Sequence, residues 1–193
     1  KAIPWLKEEH GASSEVAGYL VLIPAIAIIL GTITGGIIGD KRFKETNKGR
    51  VQVCIIGLLV STLIIPFALW RDFDLTGKTL GDALGDRDFL IAFALFFIFF
   101  LFNNAIGPNW HAIIIDTNKI ENRGSMLSIA VFFEEFGEGL GILIGALIHD
   151  ALAAGGSATP FGTTFLILCL FNIGGLLMWW PILNTIEQDI SEI

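Results

Sequence analysis

Residues 16–39 read VAGYLVLIPAIAIILGTITGGIIG, a stretch that contains no charged side chain. Residues 51–70, 89–115 and 161–183 also lack Asp, Glu, Lys and Arg. Each stretch reaches the roughly 20 residues that a helix needs to cross a hydrocarbon core about 30 Å thick. Charged residues make up only 16% of the chain, against about 25% in a typical soluble domain. The sequence therefore predicts an all-α protein whose helices cross a lipid bilayer.

A fifth apolar segment, residues 125–149, contains Glu134, Glu135 and Glu138 within the stretch FFEEFGEGLG. The chain opens on KAIPWLKEEHG, which reads as the end of a truncated helix that precedes a linker at residues 7–15. We therefore expect a polytopic transmembrane helical bundle with five complete spans plus the end of a sixth, and residues 1–193 as one domain. The complete spans are predicted at residues 16–39, 51–70, 89–115, 125–149 and 161–183.

The basic residues of the predicted loops are unevenly distributed. The loops at residues 40–50 and 116–124 hold seven of them: Lys41, Arg42, Lys44, Lys48, Arg50, Lys119 and Arg123. The opposite side holds four, spread over longer loops: Lys7, Arg71, Lys78 and Arg87. Because short cytoplasmic loops carry an excess of Lys and Arg, we expect residues 40–50 and the C-terminus in the cytoplasm, with the protein in the plasma membrane.

The most specific motif is GGIIGDKRFKETNKGR at residues 35–50, which places glycines at the end of one span and a basic loop before the next. It resembles the loop motif of the major facilitator superfamily. The motif residues here are Gly36, Gly39, Asp40, Lys41 and Arg42. Glycines allow two helices to approach closely, and an Asp at a helix end can pair with an Arg.

Two further stretches resemble the same superfamily. NNAIGPNWHAIIIDTNKIENRGSMLS at residues 103–128 is similar to its helix–loop–helix with a short acidic and Arg-Gly connection, and IPWLKEEHGASSEVAG at residues 3–18 is similar to its outer connection. Within the superfamily, the Pro-Asn-Trp and Asp…Arg-Gly patterns look closest to the spinster-like branch. That branch implies a lipid-like or organic-anion cargo.

The resemblance implies a protein of two six-helix halves that binds a small molecule between them and moves it by alternating access. The N-terminal half usually carries an Arg inside its fourth helix, whereas residues 89–115, the matching span, contain none. The chain also ends shortly after its last span. We therefore expect the C-terminal half, with the missing N-terminal half of the same chain as its partner.

Polar residues at mid-membrane depth are the candidates for substrate contact or proton coupling. At about 100° per residue, Glu134 and Glu138 flank the helix face of Gly137, Gly141 and Gly145, which we expect to be a packing face, and Glu135 points further round. Asn103 and Asn104 lie at a similar depth on the preceding span. Burial and like charge both favour the neutral form of a carboxylate, so proton exchange is expected here. The alternative is a polar helix that only lines a water-filled cavity.

His111 is predicted to lie closer to the cytoplasm than these residues, either as a proton relay or as a hydrogen-bonded interfacial histidine. The resemblance also implies a cytoplasmic gate in which Asp40 meets the region of Arg123 when the inner side is closed.

Several function classes lack their motifs. The sequence has no Gly-rich nucleotide-binding loop and no HExxH motif, so we expect a transporter rather than an enzyme, with no cofactor, no metal and no nucleic acid as a partner. A different class stays open, namely a self-contained membrane scaffold or small channel that dimerises through the face of Gly137, Gly141 and Gly145.

Overall fold

The computed structural model describes residues 2–191, and every regular element in that range is a helix. The α-helices are α1 (Ala2–Glu8), α2 (Ser14–Glu45), α3 (Gly49–Leu69), α4 (Leu80–Gly85), α5 (Arg87–Asn104), α6 (Ile106–Asp116), α7 (Arg123–Ala154) and α8 (Pro160–Ser191). A single 3-10 turn, Ile120–Asn122, precedes α7.

Four of the helical segments are long and apolar enough to cross a membrane: Ser14–Glu45, Gly49–Leu69, Arg87–Asp116 and Pro160–Ser191. They coincide with the four charge-free stretches of the sequence. Helix α7 is not among them, although it has 32 residues, as many as α2 and α8. At 1.5 Å per residue a 32-residue helix is about 48 Å long, which exceeds the roughly 30 Å thickness of a hydrocarbon core.

The helices run further than the apolar stretches predicted because polar residues at their ends continue or cap them. Helix α2 starts where the side chain of Ser13 accepts a hydrogen bond from the backbone N–H of Val16 (3.2 Å). At its other end α2 continues through Asp40 to Glu45, so the first half of the predicted basic loop is helical. The predicted tail after residue 183 is likewise helical as far as Ser191.

The predicted span at residues 89–115 is confirmed as a membrane-length helical segment, Arg87–Asp116, but it is not one unbroken helix. It consists of α5 and α6, which meet at Ala105. The physical reason is Pro108, which has no N–H and cannot donate to the carbonyl of Asn104 one turn earlier. The chain is therefore interrupted at the depth of the predicted polar residues.

Glycines hold α2 and α3 close to this junction. A Cβ on Gly31 or Gly35 of α2 would overlap the backbone of Leu101 or Ala105, and a Cβ on Gly57 of α3 would lie 2.7 Å from the carbonyl oxygen of Phe102. Because the two backbones touch, only glycine fits at these positions. Helices α2 and α3 therefore fix the position of α5.

Two apolar clusters close opposite ends of the bundle. One joins Trp5 of α1 to Phe73 and Phe89, whose rings meet edge to face, and lies beside the Asp-rich loop at residues 71–88. We call this the acidic end. The other joins Val51 and Cys54 of α3 to the ends of α6 and α8, beside the Lys- and Arg-rich loops. We call this the basic end.

At the acidic end, the carboxylate of Glu9 accepts hydrogen bonds from the backbone N–H groups of Phe161 and Gly162, the latter at 3.2 Å. These N–H groups belong to the first turn of α8, which has no intrahelical acceptor for them. The connection between α1 and α2 is thereby fastened to the start of α8.

Helix α7 is the least covered of the long helices. Gly145 is its one buried position within the described residues, and its large apolar side chains are exposed. Its neighbours are α8, α6 and the 3-10 turn. The glutamate-bearing helix therefore lies on an open face of this bundle.

Candidate functional site

The imidazole of His111 and the carboxylate of Glu134 form the contact that joins α6 to α7 at the middle of the bundle. Nε2 of His111 lies 3.0 Å from Oε2 of Glu134. Both side chains are partly exposed, 38% and 49% respectively. A neutral imidazole can donate its N–H to the carboxylate, and a protonated one forms an ion pair. The pair can therefore hold one or two protons without moving apart.

A cavity of about 970 Å³ lies between the end of α5, the middle of α7 and the first half of α8. Its polar side chains are Asn103 of α5, Glu138 of α7 and Asn172 of α8, one from each helix. The remaining lining is apolar apart from glycine backbone, and includes the rings of Phe100, Phe165 and Phe171. We call it the central cavity.

A second space, of about 700 Å³, opens toward the basic end between α6, α7 and α8. Glu134 lines it together with Thr117, Asn118 and Asp189. We call it the basic-end cleft. Residues four apart on a helix are neighbours about 6 Å apart, so one turn of α7, from Glu134 to Glu138, separates the cleft from the central cavity.

The predicted polar residues therefore divide between two places. Asn103 and Glu138 share the central cavity, as counting along the helices suggested, whereas Glu134 pairs with His111. The amide of Asn104 donates to the carbonyl of Phe100 within its own helix (2.8 Å). Glu135 is exposed and lines neither space.

Asn172 is a site residue that the sequence reasoning missed. It carries the same signal as Asn103, a carboxamide inside a charge-free apolar stretch. Only the packing of α8 against α7 shows that it faces the cavity and not lipid.

The glycine face predicted on α7 is only partly a packing face. Gly145 is buried. Gly137 and Gly141 line the central cavity, and no atom lies within 4 Å of the position that a Cβ would take on either of them. Within the described chain no neighbour packs against these two glycines, and their role in helix packing stays a prediction. The close packing occurs instead on α2, where Gly31, Gly35 and Gly39 have the same spacing.

At the basic end, Arg50 of α3 connects two other helices. Nη2 of Arg50 donates to Oδ1 of Asp40 on α2 (2.8 Å), and Nη1 donates to Oδ2 of Asp116 at the end of α6. The guanidinium also lies 4.3 Å from the centroid of the Phe43 ring. The Arg50 side chain is 13% exposed, while those of Asp116 and Asp40 are 23% and 67% exposed. The planar guanidinium can bond both carboxylates at once.

The predicted meeting of Asp40 with Arg123 is not the contact that the structure contains. Asp40 pairs with Arg50, and Nε of Arg123 donates to the carbonyl of Asn118 (3.1 Å). Arg42 pairs with Glu45 on the surface of α2 (3.1 Å), and Lys41 is exposed. The reason for the difference is geometric, since Arg50 lies in the first turn of α3, directly after the loop, and its guanidinium is within hydrogen-bond distance of Asp40.

Asn109 is a second polar residue that the sequence reasoning left without a role. It is 1% exposed, and its Nδ2 donates to the carbonyls of Gly35 and Ala105, both at 2.9 Å. A Cβ on Gly39 would overlap the Asn109 amide. Asn109 therefore ties α2 to the α5–α6 junction. Gly36 lies beside that contact, and a Cβ added to Gly36 would be 3.7 Å from Cβ of Pro108.

Metal ligation has no candidate in this arrangement. Among residues 2–191, no group of three or more His, Cys, Asp or Glu side chains is placed to hold a metal ion.

Comparison with known proteins places this bundle in a family. No curated protein and no solved structure shows a significant match to the chain. The model of the Major Facilitator Superfamily, however, matches residues 2–191, which include the glycine-and-Asp loop, the α5–α6 junction and the glutamate helix. An all-helical bundle with four membrane-length apolar helices agrees with that match. The chain therefore belongs to the Major Facilitator Superfamily of membrane transporters.

Proposed function

We propose that the chain is the C-terminal six-helix half of a secondary active transporter that moves a small molecule by alternating access. In this proposal α7 is the fifth complete span and α1 is the end of a sixth. The course of α7 supports it. Arg123, its first residue, donates to the carbonyl of Asn118 in the basic-end loop (3.1 Å), whereas His149 packs its ring against Phe161 at the acidic end, 4.0 Å between centroids. Helix α7 thus extends from the basic end of the bundle to the acidic end, as its neighbours do.

We further propose that transport is coupled to protons through α7. The observation that carries this proposal is the position of Glu134 and Glu138, one turn apart on a membrane-length helix and facing two different spaces. Ionisable side chains inside a membrane bundle are costly and face the bundle interior or a wet cavity where they mark ion and substrate paths. The contact of Glu134 with His111 adds a base beside the basic-end cleft.

The test uses proton movement, which does not require the substrate to be known. The full-length protein is reconstituted in vesicles that contain a pH-sensitive dye, and cationic, anionic and zwitterionic small molecules are added in turn. We expect at least one class to drive proton flux. Glu134→Gln and Glu138→Gln should each lower it strongly, while Glu135→Gln, which removes a carboxylate that lines neither space, should not. Unchanged flux in both site variants would exclude the coupling role.

The proposed orientation places the basic end and the C-terminus in the cytoplasm, in the plasma membrane. The excess of Lys and Arg at residues 40–50 and 116–124 supports it. Single cysteines at Lys44 and Lys78 provide the test in intact cells. An impermeant thiol reagent should label the cysteine at position 78 and not the one at position 44. The reverse pattern would invert the topology.

We also propose that an N-terminal half belongs to the same chain and that the protein belongs to a spinster-like branch of the superfamily. The Pro108-Asn109-Trp110 pattern and the connection from Asp116 to Arg123 support a spinster-like branch, and the apolar lining of the central cavity suits a lipid-like or other amphiphilic substrate. The reading frame upstream of Lys1 should encode about six further spans, as expected from the two-half architecture. A start codon immediately upstream would contradict the proposal.

One observation favours the alternative of a self-associating scaffold or channel. Gly137 and Gly141 are uncovered on a helix whose large apolar side chains are exposed, and small residues at this spacing favour helix association in membranes. Gly141→Leu would then dissociate an oligomer of this chain in detergent. A monomer both before and after the substitution would eliminate the alternative.

A further inference from the structure

We infer that the central cavity binds an organic cation with an apolar body, whose charge is held by Glu138. This inference rests on the proposed transport function for the use of the cavity as a substrate site, and it adds the substrate's chemical class.

The first argument is charge. Glu138 is the one charged side chain that lines the central cavity, and no Lys, Arg or His lines it among residues 2–191. The base that reaches the middle of α7 is His111, and it contacts Glu134 instead. No described residue donates a hydrogen bond to the Glu138 carboxylate. Glu138 is exposed to this space, so its carboxylate is accessible to a cationic ligand.

The second argument is the composition of the walls. Phe100, Phe165 and Phe171 contribute aromatic rings from α5 and α8, and the aliphatic side chains of α7 complete the lining. Aromatic faces attract organic cations, with a larger effect where water is excluded. A volume of about 970 Å³ lies at the upper end of the range for small-molecule sites, about 300–1,000 Å³. The cavity therefore suits a bulky apolar body.

The third argument is the position of the two carboxamides. Asn103 and Asn172 lie on the helices that flank α7, so that polar groups reach the cavity from all three helices. Their carbonyl oxygens can accept hydrogen bonds from an ammonium group, and their amide groups can donate to an ether or carbonyl of the ligand. An organic anion, in contrast, would meet a carboxylate and no basic group. The cavity thus disfavours the organic-anion cargo that the spinster resemblance implied.

The same carboxylate can hold a proton or a cation but not both, which gives an exchange of one proton for one positive charge. The other titratable groups within one turn of Glu138 on α7 are Glu134 and Glu135, and His111 of α6 is bonded to Glu134. The cavity-lining residues of α5 and α8 contain no titratable group. Protonation of Glu138 should therefore weaken the binding of a cation.

Two probes of the same shape and opposite charge test the inference, namely tetraphenylphosphonium and tetraphenylborate, whose charges do not change with pH. Binding of each to the full-length protein in detergent is measured by titration calorimetry. We expect tetraphenylphosphonium to bind at least tenfold more tightly than tetraphenylborate, and its affinity to fall as the pH is lowered. Glu138→Gln should remove both the binding and its pH dependence, whereas Glu135→Gln should leave both unchanged.

Equal binding of the two probes, or unchanged tetraphenylphosphonium binding in Glu138→Gln, would overturn the inference. If that variant does not fold, the comparison of the two probes on the unaltered protein decides. Proton flux driven only by anions or zwitterions, without phosphonium binding, would refute the cation site and leave the proposed function intact. Glu138-dependent phosphonium binding without any proton flux would refute the proposed coupling alone.

Discussion

Nε2 of His111 and Oε2 of Glu134 lie 3.0 Å apart across the gap between α6 and α7. This contact brings a histidine and a carboxylate from two helices into one hydrogen-bonded unit, and it lies where the basic-end cleft begins. Imidazole and carboxylate groups are common participants in proton transfer. The pair is therefore the first place to test for coupled behaviour.

We predict that His111 and Glu134 act as a unit. His111→Asn and Glu134→Gln should each lower proton-linked flux, and the double variant should be no slower than the slower single variant. Residues in contact commonly show interaction energies of about 0.5–3 kcal/mol. The measurement is the initial rate of proton flux in vesicles for the four proteins of the cycle. His149→Asn serves as the control, because His149 lies at the acidic end beside Asp150. Strictly additive effects would show that the two residues act separately.

We predict that the two carboxylates bound by Arg50 are unequal. Asp116→Asn should destabilise the basic end more than Asp40→Asn, because the Asp116 side chain is 23% exposed and that of Asp40 is 67% exposed. Arg50→Gln should cost most, up to the about 3–5 kcal/mol of a broken buried pair. Thermal unfolding of the three variants in detergent measures the order of their stabilities.

The exposed pair of Arg42 and Glu45 is the control for this series, since surface pairs contribute about 0–1 kcal/mol. If the Arg50 network also holds the inner side closed, a cysteine introduced at Ala130, which lines the basic-end cleft, should react faster with a thiol reagent in Asp40→Asn and Asp116→Asn. Equal reactivity in all variants would leave the network with a structural role only.

We predict a sharp difference between two neighbouring glycines of α2. Gly39→Ala should destabilise the protein by about 1–3 kcal/mol, the usual cost of forcing an extra methyl into a packed site, because its Cβ would overlap the Asn109 amide. Gly36→Ala should be neutral or slightly stabilising, since the nearest atom lies at 3.7 Å. Melting temperatures of the two variants measure this difference in stability. Asn109→Ala in the Gly39→Ala background should recover part of the lost stability. If it does not, the added methyl group does not clash with Asn109.

We predict that the short helix α4 loosens in acid. The hydroxyl of Thr79 donates to the carboxylate of Asp82 (2.7 Å), as does the Thr79 backbone N–H (3.0 Å), and these bonds lower the pKa of Asp82. Because the pKa is lower in the folded loop than in the unfolded one, the stabilisation is complete above the ordinary carboxylate pKa of about 3.9. It is lost as the pH falls through the lowered value.

Pepsin is active in that pH range and provides the measurement. Cleavage within Leu80–Gly85 should accelerate in the natural protein relative to Asp82→Asn as the pH is lowered from about 5 to 2, since the asparagine does not titrate. The rate ratio at each pH cancels the pH dependence of the protease itself. A constant ratio over this range would show that the Asp82 carboxylate does not hold α4.

The sequence predicted the features that depend on local chemistry. Charge-free stretches located four membrane-length helices. Counting along one of these and along α7 placed Asn103 and Glu138 at one depth, and they share a cavity. Features that depend on which helix lies beside which could not be predicted. Glycines recur at every fourth position on both α2 and α7. On α2, Gly31 and Gly35 meet the backbone of a neighbouring helix and Gly39 meets the Asn109 side chain, whereas no atom approaches Gly137 or Gly141 of α7.

The ion pairs could not be predicted from the sequence for the same reason. Arg50 and Asp116 were visible as loop residues, but their contact joins positions that are far apart in the chain and arises only when α3 packs beside α6. The interruption at Ala105 was closer to prediction, because Pro108 marks a weak point in any helix. What the proline alone could not show is that the buried Asn109 amide secures the junction to α2.

The interruption at Ala105 has a mechanical consequence. Helix α6 has 11 residues, about 16 Å at 1.5 Å per residue, and it carries both His111 and Asp116. A rotation of this short helix about the junction would separate His111 from Glu134 and Asp116 from Arg50 at the same time. Proton release at the middle of the bundle and unlocking of its basic end would then be one movement.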